Sequence, residues 1–209
     1  VMVYSEREVE RIVRVAAKAA AGRSGRLRSV DKANVLASSR LWRRVAERVA
    51  SEPEFRDAGV ELSHGLVDST AMDLITKPST FDVVVTSNMF GDILSDLAAG
   101  LVGGMGFAPS ADIGDEHAVF QPAHGSAPDI AGSGRANPTA AILSASMMLN
   151  WIGHQQSVSQ CLDAAQLIDD AIEAVFAGNQ VRTHDAGGTS STADLTNAVI
   201  ENIKASQIN

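Results

Sequence analysis

A single cysteine, Cys161, stands in 209 residues, so no intrachain disulfide can form and a reducing compartment fits. No apolar run approaches the roughly 18 residues needed to span a bilayer, and no secretory leader pattern is present. The expected setting is therefore cytoplasmic. Clustered positive charge is missing too. The formal net charge is −8 and is spread along the chain, which disfavours nucleic acid and acidic membrane surfaces as partners. The richest basic stretch, Arg11 to Arg28, alternates with apolar residues at helical spacing and reads as a solvated helix face. There is no G-x-G-x-x-G for an ordinary Rossmann turn and no G-x-S-x-G for a nucleophilic serine. His64, His117, His154 and His184 lack metal-ligand spacing to one another. Neither an internal repeat nor a low-complexity tract is found.

What is present is an ordinary globular balance, 45% hydrophobic and 20% charged, long enough to bury a substantial core. Glu6 to Ala21 places Val9, Ile12, Val13 and Ala16 on one side and reads as an amphipathic helix. A short strand at 27–30 is followed by a helix over about 39–49, a strand at 60–62 and a short helix at 67–74. Phe81 to Thr86 is the strongest strand candidate, apolar enough for a sheet covered on both faces. Helical periodicity resumes over 90–101. Strands alternating with helices predict an α/β fold. The glycine-rich stretch Gly100 to Gly114 reads as a crossing between domains, giving expected domains of 1–101 and 102–209. Beyond it come a strand at 119–120, a loop from Pro122 to Pro138 and a nearly all-apolar helix at 140–151. That composition predicts a core or interface position, with Met147 and Met148 as core packing. One or two helices over 155–176, a polar loop at 183–191 and a C-terminal helix complete the pattern. Val1 leads almost directly into a helix, so the sequence is expected to begin partway through a larger protein.

Four places could carry chemistry. Asp92 and Asp96 lie at i and i+4, so a helix would put both carboxylates on one face. Hard cations such as Mg²⁺ or Mn²⁺ prefer such oxygens, and the pair follows a strand's carboxyl end, where α/β proteins bind ligands. Two solvated aspartates would look the same. Asp68 reads equally as a helix N-cap or as a ligand. Lys32 follows a strand among apolar residues, where desolvation favours the neutral amine and general-base work; a surface lysine paired with Asp31 is the plainer alternative. The loop His124-Gly125-Ser126-Ala127-Pro128-Asp129-Ile130, with Asn137-Pro138 beyond, has small residues that let backbone N–H groups approach an anion. Asp129 could accept from both ribose hydroxyls of an adenosine and repel a 2′-phosphate. An ordinary turn-rich loop remains the alternative.

In order and spacing, SVDKANVL (29–36), Val67-Asp68, FDVVVTSNMFGDILSDL (81–97) and PAHGSAPDIAGSGRANP (122–138) resemble the β-decarboxylating dehydrogenases acting on isopropylmalate, isocitrate, homoisocitrate and tartrate. The likeness continues through 139–149 and, weakly, at Asp185-Ala186-Gly187-Gly188. It implies an isopropylmalate dehydrogenase-like two-domain α/β fold whose N-terminal part this chain lacks. It implies a homodimer with shared active sites, in which Asp92 and Asp96 bind Mg²⁺ or Mn²⁺ with Asp68 of the other subunit. Lys32 resembles the base that takes the 2-hydroxyl proton, again across the dimer. Asn34 matches a residue near the nicotinamide, while His124, Gly125, Ser126, Ala127, Asp129, Ile130 and Asn137 match the adenosine loop. Asp-Ile at 129–130 resembles the NAD-using members; NADP-using relatives commonly carry Lys-Tyr.

The implied reaction has the cation chelate the substrate's hydroxyl and carboxylate, hydride pass from C2 to NAD⁺, and the β-carboxylate leave as CO₂. Some features depart from the pattern. Gln121 replaces a common glutamate and Leu66 a frequent tyrosine. Tyr4 does not match the tyrosine that protonates the enolate, and that tyrosine and the substrate-binding arginines would lie upstream of Val1. The chain alone is thus expected to be inactive. The isopropylmalate and isocitrate/homoisocitrate classes rank evenly, with tartrate or D-malate third. A dead regulatory subunit, a metal-dependent hydrolase and a truncated dimerising product are the rivals.

Overall fold

The computed structural model describes residues 3–206. They form two compact units that divide between Ala98 and Ala99. In the first unit, α1 (Glu6–Ala21), β1 (Arg26–Asp31), α2 (Ala37–Ala50), α3 (Pro53–Arg56), β2 (Glu61–Leu66), α4 (Val67–Thr76), β3 (Val83–Thr86) and α5 (Asn88–Leu101) follow one another, α5 crossing the boundary. The sheet is parallel throughout, in the order β2-β1-β3.

Ser5 starts α1 with a capping box: its backbone N–H donates to the Glu8 carboxylate at 2.7 Å while its hydroxyl accepts the Glu8 N–H at 3.3 Å. The helix then buries Val9, Val13, Ala16, Ala17 and Ala20 against the sheet and α2. Trp42 and Phe55 fill the same core, and the Trp42 indole N–H donates to buried Ser29 Oγ at 3.1 Å. Each such fully buried large side chain contributes about 1.5–3 kcal/mol. Gly25 closes the turn before β1 at φ +81°, and a Cβ there would stand 2.5 Å from the Gly59 carbonyl oxygen.

A second cluster, Val30, Leu74 and Leu94, ties α4 and α5 to β1. Because α4 begins where β2 ends and α5 begins two residues after β3, both helices present their first turns at the carboxyl end of the sheet. Two expectations fail here. Ile12 is 43% exposed, and β3 is an edge strand whose Val84 is 37% exposed while Val85 is buried. Ile12 lies at the border of the helix's apolar face and meets Val84 in an apolar groove instead of the core.

The second unit holds β4 (Pro109–Ile113), β5 (Ala118–Pro122), α6 (Thr139–Gln156), α7 (Ser159–Gly178) and α8 (Thr192–Ser206). The antiparallel pair β4–β5 occupies part of the stretch expected to be a bare crossing. The region's glycines and Pro109 hide a strand that exists because β5 pairs with it. Ser157, left-handed at φ 54°, separates α6 from α7. Within this chain α6 is only partly buried, which departs from a core position and leaves the interface alternative. Its buried residues are mostly small ones, Ala140, Ser144, Ser146 and Gly153, and Met148 is 39% exposed. Small residues let α7 approach closely: Leu162 fills the space beside Gly153, and Ser146 Oγ donates to the Ala165 carbonyl at 3.1 Å. The unit's core is Ala171, Ile172 and Val175 of α7 with Leu195 and Val199 of α8.

Candidate functional site

Five of the expected site residues lie in the first unit. Lys32 follows β1 directly, and Asp68 is the second residue of α4. The registered neighbours Asp31 and Leu66 bring these two segments together, and Lys32 Nζ stands 2.6 Å from Asp68 Oδ1. The lysine therefore pairs with Asp68 and not with Asp31, whose carboxylate is buried and bound by Arg43. Nor is Asp68 an N-cap. Leu66 takes that place without a side-chain bond, and Asp68 sits within the first turn, where a negative charge suits the helix dipole. The hydrogen bond from Lys32, helped by the N–H groups of that turn, holds the Asp68 carboxyl below its ordinary range. Asn34 is exposed in the turn beyond Lys32, on the rim of a hollow shared with Arg40, Arg43 and His64.

Asp92 and Asp96 are both exposed on α5, flanking buried Leu94, and neither has a Lys or Arg within ion-pair distance among the described residues. Two unpaired carboxylates one turn apart are a donor set that suits a hard divalent cation, provided further ligands come from elsewhere. No group of three or more His, Cys, Asp or Glu residues gathers at one point among the described residues. Asp68 thus does not join Asp92 and Asp96 within this chain. On the same helices Met72, Ile75, Met89 and Ile93 are exposed apolar side chains.

The second unit contains a cleft of about 600 Å³, within the usual range for small-molecule sites. His124, Gly125, Ser126, Ala127, Ile130 and Asn137 line it; Asp129 stands outside the lining, exposed on the short turn Pro128–Ile130. Ala127 adopts a left-handed conformation, φ 42° and ψ 61°, rare for a residue with a Cβ. It turns the chain so that the Ile130 N–H can return to the Ala127 carbonyl at 3.1 Å. The loop's far end is anchored by α8, where the Thr192 N–H donates to the Gly134 carbonyl at 2.8 Å.

At the cleft floor is a network that motif reading did not assign. Asn137 is buried; its Nδ2 donates to Asp185 Oδ2 at 3.0 Å, and its Oδ1 accepts the Thr139 N–H at 2.9 Å. Asp185 Oδ1 also accepts from Thr183 Oγ1 at 2.5 Å and the Ala186 N–H at 3.1 Å. Gly106 packs so close to Asp185 and Asn137 that a Cβ would collide with both. His184 lines the cleft as well. The signal for Asp185 was its motif with two glycines, but its contact with a residue 48 positions away is a tertiary fact.

Residues 1–199 match the family model described as isocitrate/isopropylmalate dehydrogenase. The 3-isopropylmalate dehydrogenase of Bacillus subtilis (strain 168) is 50% identical over 205 residues, covering 98% of this chain and 53% of that protein. Its counterpart from Rhodopirellula baltica is 55% identical over 185 residues, 88% of this chain and 49% of that protein. Among solved structures, isocitrate dehydrogenase from Methylococcus capsulatus superposes with TM-score 0.86 at 39% identity, over 97% of this chain and 58% of that one. A β-decarboxylating dehydrogenase from Thermococcus kodakarensis gives 0.84 at 38%, over 98% and 57%. The chain spans about half the length of the curated relatives it matches.

Proposed function

The chain belongs to the isocitrate/isopropylmalate dehydrogenase family, and from that membership we propose that the protein containing it oxidises and decarboxylates 3-isopropylmalate with NAD and Mg²⁺ or Mn²⁺. The observation that carries the chemistry is the Lys32–Asp68 pair at 2.6 Å, an amine fixed at the carboxyl end of a parallel sheet. The choice of substrate rests on the relatives, which at 44% to 55% identity are 3-isopropylmalate dehydrogenases. A second reading, isocitrate or homoisocitrate, draws on the structural likeness to an isocitrate dehydrogenase.

Lys32, acting in its neutral form after giving up its own proton, accepts the proton of the substrate's 2-hydroxyl as hydride leaves C2. The β-carboxylate then departs as CO₂, its bonding electrons drawn toward the new 2-ketone. When bound, the cation supplies positive charge to polarise that oxygen, and NAD accepts the hydride. Asp92 and Asp96 hold the cation in one subunit; Lys32 and Asp68 serve the partner's site. Exposed Met72, Ile75, Met89 and Ile93 support such a homodimer, because paired helices would remove them from water. In the second unit, the loop from His124 to Ala127 and Asn137 receive the adenosine half of NAD. Asp129 favours free ribose hydroxyls over a 2′-phosphate. A cytoplasmic setting accords with the lone cysteine.

The test is NADH formation by the complete gene product with Mn²⁺, NAD⁺ and a panel of 3-isopropylmalate, isocitrate, homoisocitrate, D-malate and tartrate. Turnover confined to 3-isopropylmalate is expected. Turnover of another member reassigns the substrate, and a folded protein that turns over none contradicts the reading.

A further inference from the structure

β1 ends on Asp31, whose carboxylate is only 2% exposed, and the next residue is Lys32. Asp31 Oδ2 accepts the Arg43 Nε–H at 2.9 Å, and Oδ1 accepts Arg43 Nη2–H at 3.0 Å and the Ala33 N–H at 2.8 Å. The Lys32 N–H donates to Ser39 Oγ, itself buried, at 3.0 Å. The Lys32 carbonyl accepts the N–H groups of Val35 at 3.0 Å and Leu36 at 2.8 Å. Both backbone polar groups of Lys32, and the N–H that follows, are thereby tied down. The two side-chain anchors, Ser39 and Arg43, sit one turn apart on α2 and face the same way.

Net stability is a weak reason for the ion pair, in which Asp31 is buried and Arg43 partly exposed. Replacing a buried pair by apolar residues of similar volume is often neutral or stabilising, because desolvation offsets the attraction. What an apolar pair could not supply is directional bonding to the turn that carries Lys32. With the Asp31 oxygens taken by Arg43 and Ala33, the Lys32 amine is left to Asp68.

We infer that Asp31, Arg43 and Ser39 are positioning residues: they fix the backbone of the 31–34 turn so that Lys32 Nζ is held where it takes the substrate's proton. The inference rests on the reading of Lys32 as the base. A misplacement of about 1 Å is enough to cost a reaction on the order of 10²-fold, so a slack turn would show in turnover before it showed in binding.

The experiment compares Arg43→Met, Arg43→Lys, Ser39→Ala and Lys32→Met in the complete gene product. It measures kcat per folded site, KM for NAD and the thermal midpoint. Arg43→Met is expected to lower kcat per folded site roughly 10- to 100-fold while KM for NAD stays within about twofold. Arg43→Lys keeps the charge but gives up the two-pronged contact, and falls between Met and wild type. Ser39→Ala, which leaves the ion pair intact, lowers kcat in the same direction and decides the matter if Arg43→Met does not fold. A merely structural role predicts a lower midpoint with kcat per folded site unchanged, and that result overturns the inference. Near-normal turnover in Lys32→Met overturns it by another route, since the base reading itself then fails.

Discussion

Lys32 Nζ and Asp68 Oδ1 meet at 2.6 Å across the ends of two neighbouring parallel strands, the lysine side chain 25% exposed and the aspartate 64%. The pair is the only ion pair Lys32 makes among the described residues, and it puts the amine at a defined point. Lys32→Met is expected to lower turnover by a factor on the order of 10² or more, the general acid–base range, with NAD affinity nearly intact. Stopped-flow turnover and fluorescence titration with NADH check the two halves. Near-normal turnover removes Lys32 from the mechanism.

Asp92 and Asp96 share a face of α5 without a cationic partner among the described residues. Asp92→Asn should raise the Mn²⁺ concentration needed for half-maximal activity roughly 10-fold or more, since even outer-shell changes at metal sites cost that much. Direct Mn²⁺ binding followed by electron paramagnetic resonance should weaken in parallel. Unchanged binding would refute the ligand assignment.

Asp129 projects from the short turn beside the cleft. Asp129→Lys replaces a carboxylate that repels a 2′-phosphate with a cation that attracts it, and should move the NADP/NAD ratio of kcat/KM upward by roughly 10-fold or more. A ratio that does not move sinks the ribose assignment.

Asp185 holds the Asn137 amide by one charge-assisted hydrogen bond. Removing it with Asp185→Ala should weaken NAD binding by roughly 10-fold, such bonds being worth about 1.5–3 kcal/mol. Turnover at saturating NAD should stay close to wild type. Calorimetry with NAD reads the change, and an unaltered Kd would mean the network serves only the loop's shape.

Asp82 predicts an acid sensitivity outside the site. It accepts from the Ser24 hydroxyl, from Arg23 Nε at 2.5 Å and from the Ser24 N–H at 3.0 Å, which together lower its pKa from 3.8 to about 2. A carboxyl with a depressed folded pKa favours protonation in the unfolded chain. Its contribution is therefore complete above pH 3.8 and is lost as pH falls toward about 2. Asp82→Asn should be less stable at pH 7, and its urea midpoint should depend less on pH across that window. Parallel curves for the two proteins would show that this contact contributes nothing.

Much of the first unit was legible because its elements are driven by local pattern. Val9, Val13 and Ala16 at helical spacing gave α1, and the β-branched run ending at Thr86 gave β3. Where the outcome depended on partners distant in sequence, the pattern failed. β4 exists through its ladder with β5, and nothing local distinguishes its Pro-Ser-Ala-Asp-Ile from a loop. The apolar composition of α6 could not tell that its small residues, more than its large ones, face inward.

The site divides in the same way. Asp92 and Asp96 are readable because i and i+4 on a helix are neighbours by geometry. The pairing of Lys32 with Asp68 was not readable, since spacing alone offered adjacent Asp31 as the lysine's partner. Only the buried fork of Arg43 shows why that carboxylate is taken. Asp185 stayed hidden for a related reason, as the side chain it binds, Asn137, lies on the far side of two helices in sequence.

Oxidative decarboxylation of 3-isopropylmalate, as proposed, fixes a stoichiometry that can be measured. The complete gene product would be incubated with Mn²⁺, NAD⁺ and 3-isopropylmalate carrying ¹³C in its β-carboxylate, with NADH read by absorbance and labelled CO₂ by mass spectrometry. NADH and labelled CO₂ appearing together in equal amounts, and neither appearing without NAD⁺, is the result predicted. NADH without labelled CO₂, or neither product from a folded protein, would contradict the account.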